Sequence, residues 1–275
     1  LRQPIVLACL IATLSVPLAQ AVARDRPAGA STAKAAIAAA VADPRRTPAN
    51  RQRDRYRHPA ETLAFFGVTP AMTVVEIWPG GGWYAEILAP LLRGRGRYIA
   101  AAQASGRGRD ATEKLFASDP ARFDKAVVTS FDPKVPSQIA PPGSADLVLT
   151  FRNVHNFLMA GDAAAAQAFA DFHKALKPGG VLGVVDHRLP ENRSADAERE
   201  SGYLKRSTII RLASAAGFRL VGESAVNANP KDSADWPKGV WTLPPVLSQG
   251  EQDRAKYLAI GESDRMTLKF VKPAA

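Results

Sequence analysis

Thr73-Val74-Val75-Glu76-Ile77-Trp78-Pro79-Gly80-Gly81-Gly82-Trp83-Tyr84 decides the fold. A short β-branched run carries an acid, three consecutive glycines follow, and a helix-like segment spans 83–92. Strand, glycine turn and helix in that order build a nucleotide-type binding corner. Glycine lets the backbone turn sharply and lets a ligand come close to it. The helix N-terminus behind the turn offers unpaired N–H groups and a partial positive charge. Many loops carry Gly-Gly, so the rest of the argument comes from the segments on either side.

Downstream, short apolar strands are expected at 97–101, 126–129, 145–150, 181–185, 219–224 and 265–271. Helical segments separate most of them, at 109–118, 163–176 and 207–216. Upstream, Pro59 and Gly67 bracket a short helix that carries Leu63 and Phe66 on one face. Strands that alternate with helices and are apolar throughout predict a parallel sheet covered on both faces. The last two strands lack a helical crossover, which makes that edge antiparallel.

A chain of 275 residues, 46% hydrophobic and 23% charged, fits one sizeable soluble domain with extensions. The net charge of +10 raises nucleic acid as a partner, but the basic residues are interspersed with acids and form no aromatic-interleaved stripe. A small molecule is therefore the expected partner, and nucleic acid is not. Arg2 precedes an apolar run over 5–18 that Pro17 interrupts, and small-x-small exits follow at Ala19-Gln20-Ala21 and Ala21-Val22-Ala23. These are the parts of a signal peptide over 1–23, which predicts a periplasmic or secreted protein. The run is short for a membrane span, so no stable membrane insertion is expected after cleavage. Cys9 is the only cysteine and lies in that leader, which excludes disulfides and a thiol nucleophile in the mature chain. Residues 24–50 read as a flexible spacer rich in Ala, Pro and Arg, with a helix over 31–41 capped by Ser31 as the alternative. Residues 51–275 form the domain.

Val75-Glu76-Ile77-Trp78-Pro79-Gly80-Gly81-Gly82 resembles motif I of class I S-adenosylmethionine-dependent methyltransferases. Ser144-Ala145-Asp146-Leu147-Val148-Leu149-Thr150 resembles their fourth strand, and Leu176-Lys177-Pro178-Gly179-Gly180 the junction before their fifth. More narrowly, Tyr56-Arg57-His58-Pro59-Ala60-Glu61-Thr62, Phe151-Arg152-Asn153-Val154-His155-Asn156 and Asp264-Arg265-Met266-Thr267-Leu268-Lys269-Phe270 are similar to a group of exported bacterial predicted methyltransferases. The resemblance implies an α/β, doubly wound, Rossmann-like sheet of seven strands, the last antiparallel, with helices on both faces. S-adenosylmethionine is the implied cofactor, bound at the C-terminal strand ends. Glu76, Pro79, Gly80, Gly81 and Gly82 would line its methionine and ribose end, Asp132 its adenine amine, and Phe151, Arg152 and Asn153 the methyl. Two positions depart from the pattern: Trp78 stands where the turn's first glycine is usual, and Gln103 stands near the place of the acid that grips the ribose.

Methyl transfer needs mainly positioning, plus a base where the acceptor must lose a proton. His155, Asp186 and His187 follow the fourth and fifth strands on the ligand rim and are the catalytic candidates together with Asn153. Each histidine has a plain structural reading beside this one. With His58 they are also conceivable metal ligands, but no pair has helical ligand spacing, and no metal is expected. Trp78, Trp83 and Tyr84 either stack on a ligand or pack on the sheet. Arg57 and Arg152 either bind a carboxylate or phosphate or pair with Glu61 or Glu76. The loop over 229–250 carries two indoles and reads as a lid or as an anchored surface loop. Two functional readings result. One is an exported S-adenosylmethionine-dependent methyltransferase with an unidentified acceptor. The other is a non-catalytic periplasmic protein that keeps the fold and binds another small ligand.

Overall fold

The central strand shows how the sequence builds the sheet. Val74 and Glu76 point to one face and Val75 and Ile77 to the other, and all four are buried. A strand buried on both faces needs helices above and below it. The computed structural model describes residues 28–274 and supplies those helices. The signal peptide expected over 1–23 lies outside the described residues.

The chain enters through α1 (Ala28–Ala42), α2 (Pro48–Arg51), α3 (Asp54–Arg57) and α4 (Pro59–Phe66). It continues through β1 (Thr73–Ile77), α5 (Ala85–Leu92), β2 (Arg97–Gln103), α6 (Arg107–Ser118), α7 (Pro120–Phe123) and β3 (Val127–Phe131). Then come β4 (Ala145–Phe151), α8 (Val154–Met159), α9 (Asp162–Ala175), β5 (Leu176–Leu189), α10 (Ala195–Glu200) and β6 (Leu204–Lys205). The chain ends with α11 (Arg206–Ala215), β7 (Arg219–Ser224), a 3-10 turn at Gly239–Thr242, α12 (Arg254–Ile260) and β8 (Arg265–Val271).

The strand order is β3-β2-β1-β4-β5-β8-β7, and β6 adds a two-residue pairing on β5. β1 to β5 run parallel, while β8 is antiparallel to both β5 and β7. This is the expected doubly wound sheet with its antiparallel last strand. One face packs Val75, Ile77, Phe131 and Val184 against Phe157, Phe169 and Phe172. The other packs Val74, Leu147 and Leu149 against Leu63, Phe66 and Leu88. Each such fully buried side chain contributes about 2 kcal/mol by leaving water. Gly183 on β5 is required by close approach, since a Cβ there would lie 2.6 Å from Leu149 and 2.9 Å from the Phe66 ring.

Two expectations change. The flexible spacer expected over 24–50 is structured from Ala28 onward. Ile37 of α1 is buried against the α4–α5 side. Arg46, fully buried, pairs with Asp54 through Nη1 at 2.7 Å and Nη2 at 2.9 Å. Few apolar anchors are visible in this Ala-rich stretch, yet one isoleucine and one bidentate ion pair tie it to the domain. Lys177-Pro178-Gly179-Gly180, expected as the junction before a strand over 181–185, is already part of β5, which runs from Leu176 to Leu189.

Candidate functional site

A cavity of about 400 Å³ opens at the C-terminal ends of β1, β2, β4 and β5. The glycine turn lines one side, with Gln103 beside it; Arg57, Arg152, His155 and His187 line another. Residues 243–246 of the long loop, with Val240 and Trp241, also line it, so that loop belongs to the site.

The turn is built from left-handed backbone: Trp78 has φ +46°, Gly80 +56° and Gly82 +78°. Trp78 therefore adopts a conformation that favours glycine. Its indole N–H donates to the Phe131 carbonyl at 3.0 Å, and its ring lies 5.0 Å from Phe157 and 5.9 Å from Phe131. The indole thus stands between the cavity and the end of β3. Asp132, expected beside the adenine amine, is not on the cavity wall of this structure and accepts the Lys134 N–H. Gly82 also leaves the wall, because it faces Leu115 of α6. Pro79, Gly80 and Gly81 remain on the wall.

Glu76 lies under the turn and is buried, and the Tyr98 hydroxyl donates to it at 2.6 Å. Burial pushes its carboxyl up to about 7, although the Tyr98 bond pulls the other way. Gln103 lines the cavity with its Oε1 buried and without a hydrogen-bond partner. Tyr84 and Phe151 stack with ring centroids 3.6 Å apart and planes 12° apart, forming an apolar wall.

His155 and His187 come together beside Asp186, with ring centroids 5.1 Å apart. Asp186 is fully buried and accepts from the backbone N–H of Val154 and of His187, each at 2.8 Å. His155 Nδ1 lies 2.8 Å from Asp186 Oδ1. An acceptor-only carboxylate there places the proton on Nδ1 and leaves Nε2 as a base. Asp186 does not line the cavity, and its side chain meets a wall residue at His155. Asn153, by contrast, lines the cavity, and its amide donates to the Ile77 carbonyl at 2.8 Å, which ties the β4 exit to the β1 exit. His187 Nδ1 is 2.5 Å from Ser263 Oγ. Burial first, and then neighbouring His155 and Arg152, hold its imidazole well below the ordinary range, so it stays neutral. One ligand atom each from His155, Asp186 and His187 lie within 4.8 Å of one another. Asp186 already receives N–H groups on both oxygens, which leaves the trio better suited to proton handling than to coordination. His58 sits at the α3–α4 junction, outside the cavity wall.

Arginines dominate the remaining wall. Glu262 Oε1 accepts from Arg53 at 2.6 Å, and Oε2 accepts from Arg57 at 3.1 Å and Arg265 at 3.2 Å. The partner of Arg57 is therefore Glu262 rather than Glu61 or Glu76. The Arg57 guanidinium also lies 4.7 Å from the Trp83 ring centroid. Burial, and then repulsion from Arg152, lower Arg57 to about 9. Burial lowers Arg152 and Arg265 to about 10. Burial pushes Glu262 up, but Arg57, Arg265 and Arg53 together hold it down at about 2. Arg53, Glu262 and Ser263 escaped the sequence reading, because nothing local marks them.

Solved structures place this architecture. A SAM-dependent methyltransferase from Aquifex aeolicus matches with TM-score 0.55 and 13% identity, over 80% of this chain and 93% of that one. The [4+2]-cyclase SpnF matches with TM-score 0.53 and 14% identity, over 82% of each chain. The CurJ carbon methyltransferase matches with TM-score 0.51 and 12% identity, over 82% of this chain and 56% of that one. The fold is thus the Rossmann-like methyltransferase fold. A cyclase shares it, so the chemistry must be argued from the side chains. No protein-family model matches the chain, and no curated protein does.

Proposed function

We propose that the protein is a methyltransferase that uses S-adenosylmethionine to methylate a small acceptor whose proton His155 removes. The observation that carries this reading is the His155–Asp186 pair directed at a cavity that the glycine turn floors. The side chains present suit the cofactor at its amino-acid and ribose end. Glu76 is a buried carboxyl suited to a cationic or hydroxyl partner. Gln103 Oε1 is a buried acceptor with no donor in the chain. Glu76, Gly80, Gly81 and Gln103 would hold the cofactor, which when bound supplies an electrophilic methyl group on a sulfonium. Asp186 fixes the His155 tautomer, so Nε2 takes the acceptor's proton as general base. The stacked Tyr84–Phe151 wall keeps water from the reacting end. The leader-like residues 1–23 support export to the periplasm.

Trp78 favours a second reading, a binding protein for a different small ligand, because its indole fills the place expected of the purine beside Phe131. Calorimetry on the mature chain separates the two. Heat on adding S-adenosylmethionine or S-adenosylhomocysteine supports the first. No heat from a folded sample removes it.

A further inference from the structure

We propose that the arginine-lined end of the cavity binds a doubly charged oxyanion group carried by the acceptor, a phosphate monoester or a dicarboxylate. That the group belongs to a methyl acceptor rests on the methyl-transfer reading; the site itself follows from the side chains. Arg53, Arg57, Arg152 and Arg265 gather around a single carboxylate, Glu262. Asp186, the other acid within electrostatic reach of Arg152, is already engaged by His155 and by backbone N–H groups. Positive charge is therefore in clear excess.

Guanidinium groups do not escape such crowding by losing a proton. Donors also go unused: Arg53 Nη2 and Arg57 Nη2, on residues that line the cavity, are buried without acceptors, and so is Arg265 Nε behind them. Among the described residues the Arg152 side chain makes no hydrogen bond or close ion pair, and it lines the cavity. Buried donors without acceptors and like charges at close range both cost stability. An oxyanion entering from the cavity answers both, accepting from the fork-shaped donors that guanidinium presents. Four guanidinium groups against one carboxylate leave three positive charges uncompensated, so a group with two negative charges suits the site better than a monovalent carboxylate such as that of an amino acid. The Trp83 ring beside Arg57 and the Glu262 bonds hold the donors in place before the ligand arrives.

The test is calorimetry of the mature chain, without S-adenosylmethionine, against inorganic phosphate, malonate and acetate. Phosphate or malonate should bind, and acetate should bind at least about tenfold more weakly. Phosphate alone assigns a phosphate ester and malonate alone a dicarboxylate. Arg152→Gln should weaken the dianion about tenfold or more. The same substitution should leave the melting temperature unchanged or raise it, because it removes a repelling charge and breaks no pair. Absence of binding by both dianions, equal binding by acetate, or undiminished binding in Arg152→Gln overturns the proposal. S-adenosylmethionine is titrated separately. Dianion binding without cofactor binding keeps the site and removes the methyl-transfer reading, and the opposite result does the reverse.

Discussion

Replacing Glu76 with Gln tests the electrostatics at the centre of the sheet. The side chain is 3% exposed, and its partner Tyr98 stands 2.6 Å away. Burial raises the carboxyl from 4.5 to about 7. Between those two values the folded chain binds more protons than the unfolded chain. This group therefore lowers stability as pH rises through the window, and the loss is complete above the folded value. At 1.36 kcal/mol per unit, the loss amounts to about 3 kcal/mol. Gln keeps an oxygen for the Tyr98 hydroxyl and cannot ionise. Near pH 4 the two proteins should differ by less than about 0.5 kcal/mol, and near pH 8 the variant should be more stable by about 3 kcal/mol. Urea unfolding followed by Trp fluorescence across that range reads the difference directly. Parallel stability curves, or a variant that loses ground toward high pH, would refute the reasoning. The same substitution should weaken S-adenosylmethionine binding, so gained stability and lost affinity are expected together.

His155→Gln should slow methyl transfer about 10²- to 10⁴-fold with little change in cofactor affinity, which turnover assays and calorimetry together would show. A loss confined to cofactor affinity contradicts its role as base. Glu262→Gln removes a carboxylate held at about 2, against an ordinary 4.5. The stability that this carboxylate contributes is present above the ordinary value and disappears as pH falls through the folded one. The variant should therefore be about 3 kcal/mol less stable at neutral pH, with the deficit vanishing near pH 2, as measured by denaturant melts. Trp78→Gly loses the packing on Phe131 and Phe157 but suits the left-handed backbone. We expect a stability cost of about 2–4 kcal/mol and tighter binding of S-adenosylmethionine by calorimetry. Unchanged affinity would mean that the indole does not obstruct the purine.

The sheet was legible because its strands are written locally. Thr73–Ile77, Arg219–Ser224 and Arg265–Val271 carry their own apolar and β-branched runs, and they fold with the expected bounds. α8 and α10 are six residues each and carry little periodicity, so the sequence reading passed over them. The group was readable in outline, since His155 follows the end of β4, and Asp186 and His187 follow the apolar run of β5, although the strand itself continues to Leu189. Their division of labour was not, because it depends on which atoms face the cavity. Arg57 could be singled out, but its partner could not: Glu262 is 205 positions away, and the nearer acids were the obvious candidates. Trp78 was visible as a misfit in a glycine turn. Only the position of Phe131 shows that the indole turns toward the end of β3.

The place of β8 between β5 and β7 has a consequence for timing. Glu262 and Ser263 immediately precede that strand, and Arg53 and Arg57 are made some 200 positions earlier. During synthesis the arginines emerge long before the carboxylate that holds them, so the pocket cannot mature by growing outward from its first residues. It needs β8, which lies between two strands made before it and follows directly on the counter-ion and the hydroxyl for His187. A chain stopped short of Glu262 would keep most of its parallel sheet and have no working site. The pocket is therefore complete only once β8 has been made.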